Sequence, residues 1–169
     1  MKSSSKRTKQ ITQAAAIAAI YVVLTFIANA LGLASGVIQV RISEALTILP
    51  YFTFTAVPGL FVGCVLANIL TGCLPLDVVF GSLATLLGAL GTWYIRRFNL
   101  PDSKARWLAP LPPIIANTLI VPFVLAFVYQ FEGSIPYFMV TVGAGEVISC
   151  GVFGVLLFGV FRKYDRILF

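Results

Sequence analysis

The sequence contains no histidine and few charged side chains. Of its 169 residues, 11% are charged and 59% are hydrophobic. Without histidine, Ser-His-Asp catalysis, the HExxH zinc site and a histidine proton relay are excluded. No GxxxxGK[ST] motif occurs, so any ATP that powers this protein is hydrolysed by another subunit. The sequence therefore argues against an enzyme and predicts neither a metal nor a cofactor.

Cysteine is also scarce. Cys64, Cys73 and Cys150 lack CxxC spacing and fall in or beside apolar segments. Cysteine in such segments commonly packs as a small hydrophobe. We expect packing roles here rather than a disulfide or a metal site.

Apolar side chains, by contrast, exceed what one soluble core of this length can bury. A lipid bilayer is the natural solvent for such a chain. Backbone groups in a bilayer must pair internally, and long uninterrupted apolar runs do so as helices rather than as alternating strands. The expected fold is an all-α integral membrane protein.

The net charge of +6 does not predict a nucleic-acid partner. The basic residues form three short clusters that border apolar runs, at residues 2–9, 96–106 and 162–166. They form no basic groove between stacking faces. Lysine and arginine mark the cytoplasmic ends of membrane helices, so we expect all three clusters to face the cytoplasm.

Six apolar runs are separated by polar or proline-containing breaks. The second is short for a full crossing of about 20 residues, so we expect it to be tilted or partly embedded. Asp77 is placed to cap the fourth helix. Pro122 lies inside the fifth, where a lost amide bond should cause a kink. The runs cover residues 11–33, 42–54, 58–74, 78–95, 107–131 and 134–161.

Four crossings then separate the first two basic clusters, and two crossings separate the last two, which puts both termini in the cytoplasm. The predicted organisation is a basic N-terminus at 1–10, a six-helix membrane domain at 11–162 and a tail at 163–169. A cleaved signal peptide competes for the first run, because Ala28-Asn29-Ala30 resembles a cleavage site. That run is longer than a signal core of about 7 to 15 residues.

Glu146 lies about ten residues inside the sixth run, roughly 15 Å along the helix. A carboxylate inside an apolar span is costly unless it is paired, so a functional role is the default interpretation. The alternative is a structural partnership with Arg41 or with an asparagine of a neighbouring helix. The predicted topology also places Arg41, Glu44, Asp77 and Glu132 near the outer face, which would be acidic and would attract a cation.

Other polar and aromatic side chains are candidates for contacts with a ligand. Asn68 and Asn117 either tie helices together or surround a planar, hydrogen-bonding molecule with Glu146. Tyr51, Phe80 and Tyr137 can supply stacking faces, although isolated aromatic residues in membrane helices usually pack in the core or face lipid.

Arg41 and Glu44 are three residues apart, a spacing that favours an ion pair on one helical face. Such a pair would anchor the loop, close over a ligand, or do both.

Small residues recur on the first helix at the spacing that lets another helix approach closely. Internal packing is the usual reason for the pattern, but its position beside the cytoplasm suggests a partner subunit. The predicted docking residues are Ala14, Ala15, Ala18 and Ala19. Gly59, Gly63 and Ala67 repeat the pattern on the third run.

Three stretches resemble a known family: VIQVRISEALTILPYF at 37–52, PGLFVGCVLANILTG at 58–72 and LDVVFGSLATLLGAL at 76–90. The chain resembles the substrate-binding S components of energy-coupling factor (ECF) vitamin transporters, and among them the QueT family. The resemblance spans nearly the whole chain. The alanine pattern is similar to the face with which S components dock on their coupling subunit.

The resemblance implies a six-helix protein of the prokaryotic plasma membrane that takes substrate from outside and joins a transmembrane coupling subunit and two ABC ATPases. QueT members are associated with uptake of queuosine precursors, the 7-deazaguanines. One carboxylate can accept two parallel hydrogen bonds from a guanine-like edge. Glu146 is our candidate for this contact. Glu44 or Asp77 would meet the ammonium of the 7-aminomethyl form, and Asn68 and Asn117 would contact the remaining polar groups of the ring.

Two other classes stay open from the residues alone. A cation-coupled secondary transporter or small multidrug exporter would alternate Glu146 between a proton and a cationic cargo. A membrane enzyme would have to rely on carboxylate chemistry.

We predict that Glu146→Gln keeps the fold but lowers ligand affinity at least tenfold, because it weakens a charge-assisted hydrogen bond worth about 1.5–3 kcal/mol. Calorimetry on the purified protein measures the change. Unchanged affinity would assign Glu146 a structural role.

Overall fold

The structure is a computed structural model that describes residues 2–33 and 39–168. The first two residues of the stretch at 37–52 and the terminal residues 1 and 169 lie outside the described part, as does the side chain of Arg166. Within it the chain is helical and contains no strand, which confirms the all-α prediction. The α-helices are α1 (Lys2–Ala30), α2 (Ala56–Leu70), α3 (Pro75–Ile95), α4 (Asp102–Leu108), α5 (Leu111–Phe127), α6 (Ile135–Glu146) and α7 (Gly154–Leu168).

Four helical stretches of the described chain are long and apolar enough to cross a membrane: Lys6–Ala30, Pro75–Phe98, Asp102–Phe127 and Ile135–Tyr164. Helix α2 is apolar but shorter. The first, third, fourth and sixth predicted runs thus correspond to α1, α2, α3 and the helical stretch from α6 to α7. Six full crossings and cytoplasmic termini stay predictions.

The second predicted run forms a 3₁₀ helix, Ile42–Tyr51, at the centre of the bundle. Its residues from Ser43 to Tyr51 are all buried. It contacts α1, α2, α3, α7 and the segment between α6 and α7. At about 2 Å per residue a 3₁₀ helix of this length extends roughly 20 Å, short of the bilayer core of about 30 Å. The expectation of a partly embedded segment agrees with this length.

Several boundaries differ from the prediction, and two of the differences concern polar segments. Asp77 does not cap α3, because the helix begins earlier, at Pro75, with Leu74 as its N-cap residue. Proline favours the first helical position since its missing N–H is not needed there. The polar stretch expected as a loop contains the short helix α4, which is separate from α5.

Between α6 and α7 the helix widens into a π-helical segment, Val147–Phe153, which begins directly after Glu146. Turns of this kind occur frequently at functional sites. The sequence carried no signal for it, because residues four apart share a face in both helix types.

The three basic clusters lie at one end of the bundle. Arg162 on α7 donates to Asp102 at 2.8 Å, and Arg96 donates to the carbonyl of Phe52. A few residues further on, Thr55 contacts Gln13 of α1 at 3.4 Å. These contacts bring Gln13 of α1, the end of α3 and the end of α7 to the same end of the bundle.

Close helix packing relies on glycine. A Cβ atom on Gly88 of α3 would lie 2.6 Å from the Cα of Pro113 and 2.8 Å from its Cβ. Pro113 belongs to the first turn of α5, and neither of these atoms can rotate away. The absence of a side chain therefore permits this approach of α3 and α5.

We predict that Gly88→Ala lowers the free energy of unfolding by about 1–3 kcal/mol through overpacking. The matched control is Gly159→Ala on α7, where an added Cβ meets nothing within 4 Å. Thermal unfolding of both variants in one detergent measures the difference. Equal melting temperatures would contradict the close approach of the two helices.

Candidate functional site

Glu44 lies at the centre of the bundle, with 1% of its surface exposed. The Tyr21 hydroxyl of α1 and Thr85 Oγ1 of α3 both donate to its Oε1 atom, the second at 3.2 Å. No described residue forms a hydrogen bond with its Oε2 atom. A buried carboxylate is costly unless its oxygens accept hydrogen bonds, so this oxygen is a candidate ligand contact.

Glu146 faces the same point from α6. The Cys150 thiol donates to Glu146 Oε2 at 3.1 Å and lies 3.4 Å from the carbonyl oxygen of Glu44. Glu44, Glu146 and Cys150 each offer one atom that could bind a metal ion, and these three atoms lie within 4.8 Å of one another. We call Glu44 and Glu146 the carboxylate pair.

Asn117 of α5 completes this centre. It lies beside both members of the carboxylate pair, and it is 3% exposed. Its Nδ2 atom forms no hydrogen bond of normal geometry within the described ranges. A buried donor that lacks an acceptor costs about 1–3 kcal/mol. The amide is therefore a second polar group available to a ligand.

If both members of the carboxylate pair are charged, their repulsion must be offset by another group. Two unit charges about 5 Å apart repel each other by roughly 3 kcal/mol at an effective dielectric constant of 20. Burial adds the cost of removing each charge from water. A proton or a bound cation must offset this repulsion. Together with Cys150, the carboxylate pair offers the ligand atoms of a small cation site.

A second polar group lies around Asp77. The Tyr129 hydroxyl donates to Asp77 Oδ2 at 2.8 Å. Burial, and then the nearby carboxylate, raise the pKa of Tyr129, which follows the end of α5, so its hydroxyl keeps its proton and stays a donor. Asn68 Nδ2 and Asp77 Oδ1 both approach Gly81, since each would lie 3.3 Å from a Cβ added there.

Cys64 and Thr85 connect the two groups. Asn68 Nδ2 contacts Cys64 Sγ at 3.6 Å, and Thr85 Oγ1 lies 3.4 Å from the same sulfur while donating to Glu44. Polar side chains thus form a path through the interior from Asn68, which lies beside Asp77 at Gly81, to Glu44. Five predicted site residues lie in or beside this path: Glu44, Glu146, Asn117, Asn68 and Asp77.

The predicted ion pair between Arg41 and Glu44 is wrong. Arg41 precedes the 3₁₀ helix with extended backbone angles, so the spacing rule for one helical face does not apply to it. Its Nη2 atom donates to Gln39 Oε1 at 3.1 Å. Asp77 is the acidic group that acts most strongly on this guanidinium. Within residues 6–33 and 39–164, the ion pair at contact distance is Arg162 with Asp102.

The aromatic candidates lie away from the carboxylate pair. Phe80 and Tyr137 are 43% and 51% exposed. Tyr51 is buried but packs against Phe158, with ring centroids 5.2 Å apart. The positions of these rings therefore do not support stacking on a ligand at the carboxylate pair, and their roles stay predictions.

The alanine cluster on α1 has a packed side and an exposed side. A Cβ on Gly59 would lie 3.2 Å from the Cα of Ala14, and one on Gly63 would lie 3.0 Å from that of Ala18. Ala14 and Ala18 therefore pack inside the bundle against α2. Ala15 and Ala19 are exposed. An apolar groove of about 480 Å³ runs between α1 and α2, lined by residues that include Ala14, Ala15, Ala18, Pro58 and Val62.

The sequence interpretation missed several members of the site. Tyr21, Thr85 and Tyr129 donate to Glu44 or Asp77, but a single hydroxyl in an apolar helix is a weak signal. Cys150 had a usable signal, because it lies four residues after Glu146 on the same helical face. All three cysteines are free, as predicted, but Cys64 and Cys150 belong to the polar path rather than to apolar packing alone.

A helical protein with several membrane-spanning stretches and an interior carboxylate pair fits the class of membrane proteins that bind or move polar molecules. Residues 11–163 match the family model described as QueT transporter. The chain belongs to the QueT transporter family, which confirms the resemblance noted in the sequence.

One curated relative is the queuosine precursor transporter QueT of Lactococcus lactis subsp. cremoris (strain MG1363), with 34% identity over 100 residues. The alignment covers 59% of this chain and 57% of the relative, so it spans little more than half of that protein. No solved structure matches the chain.

We predict that Tyr21→Phe lowers the free energy of unfolding by about 1.5–3 kcal/mol, the usual value of a hydrogen bond to a charged group. The variant leaves Thr85 as the side-chain donor to Glu44. Thermal unfolding measures the change, and the control is Tyr94→Phe, which removes a hydroxyl from an exposed tyrosine. If the two variants melt together, the Tyr21 hydroxyl does not stabilise Glu44.

Proposed function

We propose that this chain is the substrate-binding S component of an ECF-type importer for queuosine precursors, that is, 7-deazaguanines. The observation that carries the proposal is the buried polar centre formed by Glu44, Glu146 and Asn117. It combines acceptors and a donor in an apolar bundle, and two of its polar atoms have no partner in the described chain. Membership of the QueT transporter family and the name of the curated relative support the choice of cargo.

The proposed topology has six membrane passages, with both termini in the cytoplasm of a prokaryotic cell. The meeting of the three basic clusters at one end of the bundle supports it, because positive residues are retained on the cytoplasmic side. Asp77 and Tyr129 then lie toward the outer side, from which the ligand enters. The polar path from Asn68, which lies beside Asp77, to Glu44 is the proposed ligand route.

The proposed partners are a transmembrane coupling subunit and two ABC ATPases. No GxxxxGK[ST] motif occurs in this sequence, so any ATP that drives uptake is hydrolysed by another chain. The groove beside α1 is the proposed docking face for the coupling subunit. Ala15 lines this groove and is exposed, whereas the partly or fully buried Ala14 and Ala18 support the face from inside.

The carboxylate pair also suits a second function, a cation-coupled secondary transporter in which the pair exchanges a proton for cargo. The two functions differ in their energy source. An S component depends on its ATPases, whereas the secondary transporter works in vesicles that contain no ATPase.

We predict that proteoliposomes with the coupling module and ATP accumulate a 7-deazaguanine, and that Ala15→Trp lowers this uptake at least tenfold without changing ligand affinity. A large side chain in the groove would block close helix approach. Uptake by mass analysis and binding by calorimetry are the two measurements. Ile20→Trp is the control, because Ile20 is 51% exposed on α1 but does not line the groove.

Two results would contradict the proposal. Transport at the same rate in vesicles without ATPases would favour the secondary transporter. Normal uptake by the Ala15→Trp variant would show that the groove beside α1 is not the docking face.

A further inference from the structure

We propose that the carboxylate pair binds one ammonium group of the cargo, so that the protein selects the 7-aminomethyl form over the neutral 7-cyano form. This inference rests on the proposed function and specifies its substrate. In this proposal Glu44 and Glu146 both bind the ammonium. This replaces the contact between Glu146 and the guanine-like edge that was predicted from the sequence.

The spacing of the carboxylate pair suits such a group. Charge-assisted hydrogen bonds from nitrogen to oxygen are about 2.8 Å long, so one ammonium can bridge two oxygens up to about 5.6 Å apart. The facing atoms of Glu44 and Glu146 lie within 4.8 Å of each other. The separation therefore allows one ammonium to donate to both side chains.

The hydrogen bonds around Glu44 leave room for this donor. Tyr21 and Thr85 both donate to Oε1, whereas Oε2 accepts from no described residue. Cys150 donates to one oxygen of Glu146. The protein thus orients both carboxylates with neutral donors and supplies no cation at contact distance.

The nearest cation does not neutralise the pair directly. Arg41 donates to Gln39, and it lies within electrostatic range of Asp77 and of both carboxylates without contacting the pair. The described part of the chain contains no ion pair at Glu44 or Glu146. A cationic ligand offsets the repulsion between the two carboxylates, while a nitrile would point its nitrogen lone pair at them.

Asn117 is an independent observation at the same place. Its Nδ2 atom is buried and interacts with both carboxylates, but it meets neither with the geometry of a normal hydrogen bond. In a 7-deazaguanine the ring carbonyl lies next to the substituent at position 7. An ammonium between the carboxylates brings this carbonyl toward the same region, where the Asn117 amide can donate to it.

Calorimetry on the purified protein tests the inference with three probes: 7-aminomethyl-7-deazaguanine, 7-cyano-7-deazaguanine and Zn²⁺ alone. We expect the wild type to bind the aminomethyl form at least tenfold more tightly than the cyano form. Glu44→Gln should reduce this ratio to less than threefold by weakening the aminomethyl complex. Glu132→Gln, which changes an exposed glutamate, should keep the wild-type ratio.

Three results would overturn the inference, and a fourth would contradict the proposed function. Equal or tighter binding of the cyano form by the wild type overturns the inference, even if the Glu44→Gln variant fails to fold. An unchanged ratio in folded Glu44→Gln overturns it as well. Zn²⁺ binding tighter than that of either deazaguanine, and lost in Cys150→Ser, would assign the centre to a metal and overturn it. Failure of the folded wild type to bind both deazaguanines would instead contradict the proposed function.

Discussion

The burial of Glu44 is the constraint on which the rest of the structure depends. An ionisable side chain in the centre of an apolar bundle is tolerated only where other groups satisfy it. The bundle does this with donors from separate elements, Tyr21 on α1 and Thr85 on α3. The 3₁₀ helix that carries Glu44 is accordingly surrounded by the other helices instead of facing lipid.

This arrangement explains why the site is both rigid and incomplete. Glycine lets the helices pack closely, as Gly63 does against Ala18 and Gly88 does against Pro113. The carboxylates are therefore held in place by packing as well as by hydrogen bonds. Their charge is nevertheless not balanced by a protein cation at contact distance, so a polar molecule that brings the missing charge gains the energy of completing the site.

Helix α1 links the site to the face proposed for docking. Tyr21 contacts Glu44 from its inner surface, and Ala14 and Ala18 pack against α2 within the same four turns. Ala15 faces the groove on the outside. A partner that shifts or tilts α1 would therefore act on the Tyr21 hydrogen bond, which offers a physical link between docking and the environment of Glu44.

The sequence by itself determined the all-α class, the family and the burial of Glu146 inside an apolar segment, because apolar run length, composition and an isolated interior charge are local properties of the chain. It also predicted one cytoplasmic side for the three basic clusters, which stays a prediction. It could not reveal that Glu44 and Cys150 join Glu146, since these residues are up to 106 positions apart and meet only when the helices pack.

Local rules failed where the tertiary structure supplied different partners. Asp77 is a residue type that often caps helices. In the folded protein it does not cap α3, and it instead accepts a hydrogen bond from the hydroxyl of Tyr129, which follows α5. Arg41 and Glu44 have the spacing of an ion pair. Arg41, however, precedes the 3₁₀ helix, whereas Glu44 lies in its first turn. Side-chain pairing inside a bundle depends on helix rotation and approach, and only the folded bundle decides these.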